Sequence, residues 1–102
     1  MTMMTNEEVA VLAAEQIIAA KGQADGERCA ARCLAKNDAG TLVTFDWRGV
    51  ASDASRNAGC VYGVQDIRQG RRIYAYAYEA GARAVCQTAL LKGSHADAAQ
   101  HR

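Results

Sequence analysis

The sequence predicts an α+β fold: an N-terminal helix, an antiparallel β-hairpin with a candidate third strand, and a C-terminal helix packed on one sheet face. Three observations predict it. A capping box opens the chain at Thr5. Turn chemistry at Asn37-Asp38-Ala39-Gly40 separates two alternating runs. A polar stripe of Arg72, Glu79, Arg83 and Gln87 recurs at helical spacing.

The first helix is expected over 6–21. Thr5 is its N-cap, and Glu7 and Glu8 sit where the helix dipole favours carboxylates. Val9, Leu12, Ala13, Gln16, Ile17 and Ala20 follow at helical spacing, and Lys21-Gly22 reads as a stop.

The hairpin is expected as strands 28–36 and 41–48. Asn37-Asp38-Ala39-Gly40 suits a type I turn closed by a glycine in the left-handed region. With Asn37 facing Thr41, small Ala35, Cys33 and Ala31 oppose Val43, Phe45 and Trp47, and Trp47 becomes a core residue. The other face carries Lys36, Arg32, Thr44, Asp46 and Arg48. Residues 49–58 read as a loop of small polar residues, and 59–64 as the third strand.

Over 70–79 the sequence admits two readings. "IYAYAY" alternates like a strand, which would line Tyr74, Tyr76 and Tyr78 on one face. The stripe and the i,i+4 pair Glu79–Arg83 favour a helix over about 71–92, which parts Tyr76 from the other two. The helix is preferred, ending at Gly93. The 102 residues then form a single domain over 1–93 with a flexible tail over 94–102.

Composition bounds function. Twelve basic and eleven acidic residues leave a net charge of +1, unlike an acidic nucleic-acid mimic or a strongly basic general binder. No apolar run is long enough for a membrane span, and "MTMMTNEEV" lacks the features of a signal peptide, so the expected location is cytoplasmic. Cys29, Cys33, Cys60 and Cys86 should then be reduced. On one strand Cys29 and Cys33 would stand about 13 Å apart, too far to share a zinc ion, so no metal and no cofactor is expected.

No catalytic residue emerges. His95 and His101 fall in the tail, where nothing orients them as bases for a cysteine. Asp38, Asp46, Asp53 and Asp66 read as turn, cap or solvent positions, and Gly59, Gly63 and Gly70 are misplaced for a phosphate loop. The expectation is a non-catalytic protein-binding module, such as a small inhibitor, adaptor or regulatory protein. A stand-alone accessory protein of a phage or other mobile element fits that description. The outward hairpin face, Arg32, Thr44, Asp46 and Arg48, is its expected site for a protein partner or self-association.

The alternative is binding to an RNA or DNA backbone through Arg68, Arg71 and Arg72 at the start of the last helix. The order helix, strands, helix with Arg71-Arg72 is similar to the double-stranded RNA-binding domain. That resemblance implies phosphate contacts from those arginines. It covers the topology and Arg71-Arg72 alone. The family's longer basic helix start and histidine loop are not matched.

Overall fold

Thr5 caps the first helix as its sequence predicts, its Oγ1 accepting from the Glu8 amide at 3.2 Å. The helix then runs past the expected stop. The structure, a computed structural model, describes residues 3–62 and 64–100, and for 94–100 the backbone alone. In it α1 spans Asn6–Leu34, α2 Ala39–Val43, α3 Trp47–Asn57 and α4 Ile67–Gln100, with a 3-10 turn at Gly59–Val61. Among the described residues there is no strand, so the α+β expectation is overturned: the protein is helical.

The hairpin fails for local and tertiary reasons. Its first strand was built from Ala31, Cys33 and Ala35, and alanine is a strong helix former and a poor strand former. Ile18, Gly22, Gly26 and Ala30 are all buried, at four-residue spacing, so one helical stripe runs through the supposed stop. The turn residues become helix punctuation instead. Asn37 donates its side-chain amide to the Cys33 carbonyl at 3.0 Å, behind the end of α1. Asp38 caps α2, accepting from the Thr41 amide at 3.3 Å. Gly40 has no left-handed φ, so the turn geometry expected of it is absent.

The loop expected at 49–58 is mostly α3. Asp46 caps it, and Trp47, Ala51 and Ser55 are buried along one side. Ser55 meets its burial by donating to the Ser52 carbonyl at 2.7 Å. The expected third strand is replaced by the 3-10 turn, which buries Val61. Trp47 is core, but as the first residue of a helix. Its indole Nε1 donates to the Leu42 carbonyl at 2.9 Å, and its ring meets Phe45 edge-on with centroids 5.1 Å apart.

In α4 the helical reading of the tyrosines holds. Tyr74 and Tyr78 are buried with ring centroids 6.0 Å apart, and Tyr76 is 70% exposed. They pack on α1, there being no sheet. The helix begins at Ile67, where Asp66 accepts from the Arg68 and Gln69 amides. It also continues through Gly93 to Gln100. The expected tail at 94–102 lies outside the residues whose side chains are described.

α1 and α4 run parallel, because Ile18 lies on Gly70, Gly22 on Tyr74 and Gly26 on Tyr78. A Cβ on Gly26 would stand 2.8 Å from the Tyr78 carbonyl carbon and closer still to its oxygen. Gly22 meets Tyr74 in the same way, and a Cβ on Gly81 would lie 2.6 Å from the Gln23 oxygen. The glycines cost about 1 kcal/mol each in helix propensity. They are retained where two backbones touch, a contact no other residue permits.

α2 and α3 form the return path, and both pack on α4; α3 lies on the side of α4 away from α1. With α4 between its neighbours the molecule is a slab of 60 × 34 × 16 Å. Its radius of gyration, 17.1 Å, exceeds the roughly 13 Å of a compact chain of this length. Such a slab leaves broad faces uncovered. No helix among the described residues is long and apolar enough to cross a membrane.

Candidate functional site

Two grooves and one polar cluster stand out. The first groove lies along the N-terminal half of α1. At the α1–α4 register, Ile67 stands level with Glu15, so earlier residues of α1 have no helix of α4 beside them. Residues 3–13 are all exposed, and they include Met4, Val9, Val11 and Leu12; Ile17 is 65% exposed. Between this arm and the entry to α4 is a groove of about 1030 Å³. Met4, Val11, Leu12, Ile18, Val64 and Ile73 make its apolar surface, and Glu7, Glu8, Glu15 and Asp66 line it with carboxylates. Among the described residues no lysine or arginine lines it.

The second groove, of about 650 Å³, lies between α3 and α4. Arg48, Arg72 and Arg83 surround it with Tyr76 and Glu79. Arg83 reaches the Glu79 carboxylate at 2.9 Å and Arg48 the same oxygen at 3.8 Å. Two guanidinium groups thus share one carboxylate, Arg72 adds a third positive charge to the lining, and the groove is basic.

The polar cluster sits on the α1–α4 seam. Asp25 accepts from Lys21 at 2.7 Å, and also from Arg28 and from the Tyr74 hydroxyl. Burial alone would raise its carboxyl pKa, but the hydrogen bonds from Lys21, Tyr74 and Arg28 outweigh this and hold it below its ordinary value. Burial and the Asp25 carboxylate push the Tyr74 hydroxyl pKa up, and burial with the neighbouring Cys29 does the same to Tyr78. Neither phenol is activated as a base or nucleophile. The cluster ties α1 to α4.

Cys29 and Cys33 share one face of α1, one turn apart, and Cys86 of α4 is buried near them. The 13 Å separation expected on a strand is therefore wrong. Burial first, and then Cys29, raise the Cys33 thiol pKa; Cys86 is raised mainly by burial. Cys33 and Cys86 are thus neutral, packed thiols, poor nucleophiles at neutral pH. Among the described residues no three His, Cys, Asp or Glu side chains are grouped as metal ligands.

The expected partner face is taken apart. Arg32 lies on α1, Thr44 closes α2, Asp46 caps α3 and Arg48 follows it. Without a hairpin among the described residues nothing unites them, and Arg48 is the one of the four that lines either of these two grooves. The arginine trio is also redistributed. Arg72 lines the basic groove, Arg68 is exposed in the first turn of α4, and Arg71 is half-buried with its Nε unpartnered. The topology behind the similarity to the double-stranded RNA-binding domain is absent with the sheet. Asp38, Asp46 and Asp66 are helix caps and Asp53 pairs with Arg56 at 3.3 Å, so all four aspartates have structural duties. The side chains of His95 and His101 lie outside the described residues.

Sequence reasoning missed the acidic groove. Its signal was present: from Asn6 to Ala20 the chain has three glutamates and no lysine or arginine, beside an apolar stripe. No protein-family model, curated protein or solved structure matches the chain.

Proposed function

We propose that the protein is a non-catalytic binding module whose partner is another protein, docked on the exposed half of α1. The observation that carries this reading is the apolar surface of that arm. Val9, Val11 and Leu12 of α1 stand open with Met4 just before it, and Met4, Val11 and Leu12 line one groove. Apolar patches of this kind mark interaction surfaces, and an isolated helix of about a dozen residues is marginal in water without a neighbour. The neutral thiols and the raised tyrosine pKa values offer no competing chemistry. A photo-crosslinking residue at Leu12 of the intact chain should capture one discrete protein in host extract, and the same residue at Asp53 should not. Equal capture at both positions, or none at either, counts against the reading.

A second reading is favoured by the basic groove. Arg48, Arg72 and Arg83 beside exposed Tyr76 could contact phosphates and stack one base. Duplex or single-stranded RNA should then bind weakly, with a log–log salt slope of about −2 to −3 that shrinks in Arg72→Ala.

A further inference from the structure

The stripe that seats α1 on α4 does not end where α4 begins. Buried Ile18, Gly22, Gly26 and Ala30 continue upstream, at three- and four-residue steps, as Glu15, Val11 and Glu8, with Met4 just ahead of the N-cap. Beside the buried part of the stripe lies α4. Beside its upstream part lies the acidic groove, closed at one end by Asp66 and Ile73. The groove is the extension of the α4 lane along α1. From Asn6 to Ile18 α1 rises about 18 Å, room for roughly three helical turns.

We infer that this groove receives a basic amphipathic helix of a partner protein, laid along α1 in line with α4. The inference rests on the partner-binding reading above and names the partner's chemistry. The apolar floor takes leucine-like side chains at helical spacing. The carboxylates of Glu7, Glu8, Glu15 and Asp66 take lysines or arginines on the flanks of that helix. Glu7 and Glu8 also serve the dipole of α1, and Asp66 serves that of α4. Glu15 has no such duty: it lies beyond the first two turns and has no ion pair among the described residues. A second copy fits poorly, because an isologous pairing of these arms would set glutamates against glutamates with no nearby base before Lys21. A phosphate backbone is repelled by the same charges.

The test uses the intact chain and two synthetic helices of about fifteen residues. Both carry leucine on one face; one carries lysine on the other face and its twin carries glutamate. The lysine helix should bind one to one, weaken as salt rises, and bind at least about tenfold tighter than its twin. The double variant Glu8→Lys/Glu15→Lys leaves two carboxylates against two lysines and should abolish that preference, with only a small fall in melting temperature from the loss of Glu8 at the helix dipole. Equal binding of the two helices, or a preference that survives the double variant, overturns the proposal. So does a dimer in sedimentation that Val11→Asp dissolves, since the groove would then hold a second copy. If the lysine helix fails to bind while Val11→Asp still abolishes capture by the Leu12 crosslinker, the basic-helix assignment falls and the partner-binding reading stands. Loss of both results removes both.

Discussion

The two halves of α1 differ in what they touch. From Ile18 to Ala30 the helix meets another helix once per turn, at Gly70, Tyr74 and Tyr78 in succession, and small residues let the backbones close. From Asn6 to Ala14 no part of α4 stands level with it, and large apolar side chains stand in the open. The buried half carries glycine and alanine on its inner face, whereas the open half carries valine, leucine and glutamate. Close contact between backbones is already complete in the first. The second has the bulk and charge that a separate partner would fill and pair.

Substitution at the seam breaks the comparison most severely. In Gly26→Ala the new methyl meets the Tyr78 carbonyl, which has no rotamer by which to move away. We expect a loss of about 3 kcal/mol or more in urea unfolding. Gly49→Ala is the contrast: a Cβ there meets nothing within 4 Å, in a helix, so stability should rise by about 0.5–1 kcal/mol. If both glycines respond alike, the seam is not where the structure places it.

The next effect concerns the polar tie. Tyr74→Phe removes a hydroxyl donated to a charged carboxylate and should cost about 1.5–3 kcal/mol. Asp25 also gives the seam an acid sensitivity. Its carboxyl pKa is lowered in the fold from an ordinary 3.8, so the unfolded chain takes up this proton first as pH falls. Its stabilisation is present above pH 3.8 and is lost as pH drops through the lower folded value. Melting temperatures measured across that acid range should decline less steeply in Asp25→Asn than in the parent. The smallest effect belongs to the open half: Val11→Asp should shift unfolding by no more than about 0.5 kcal/mol while removing partner capture.

Much of this division was legible in the chain, but unevenly. The start of α1, the helical nature of 71–92 and the separation of Tyr76 from Tyr74 and Tyr78 follow from caps and periodicity. Gly22 misleads because a glycine after lysine carries the same local signal whether it ends a helix or admits a neighbouring backbone. Only Tyr74, distant in sequence, decides between them. Asp38 misleads likewise, since it suits a hairpin turn and a helix cap equally. Residues 31–35 alternate in size but lack β-branched side chains, and packing against α4 turns them helical. The arginines Arg48, Arg72 and Arg83 converge only through the α3–α4 pairing. For the acidic groove, by contrast, a run of glutamates without a base was a readable cue.

Residue-resolved amide hydrogen exchange on the isolated protein tests the contrast between the two halves most directly. The amides of residues 22–30 should be protected to nearly the free energy of global unfolding, because freeing them requires parting α1 from α4. Those of residues 9–14 should exchange faster by orders of magnitude, since that segment can fray without disturbing the seam. Uniform strong protection from Asn6 to Leu34 in a monomer would contradict the account: it would mean that the open half is already held in place, leaving no vacant lane for a partner.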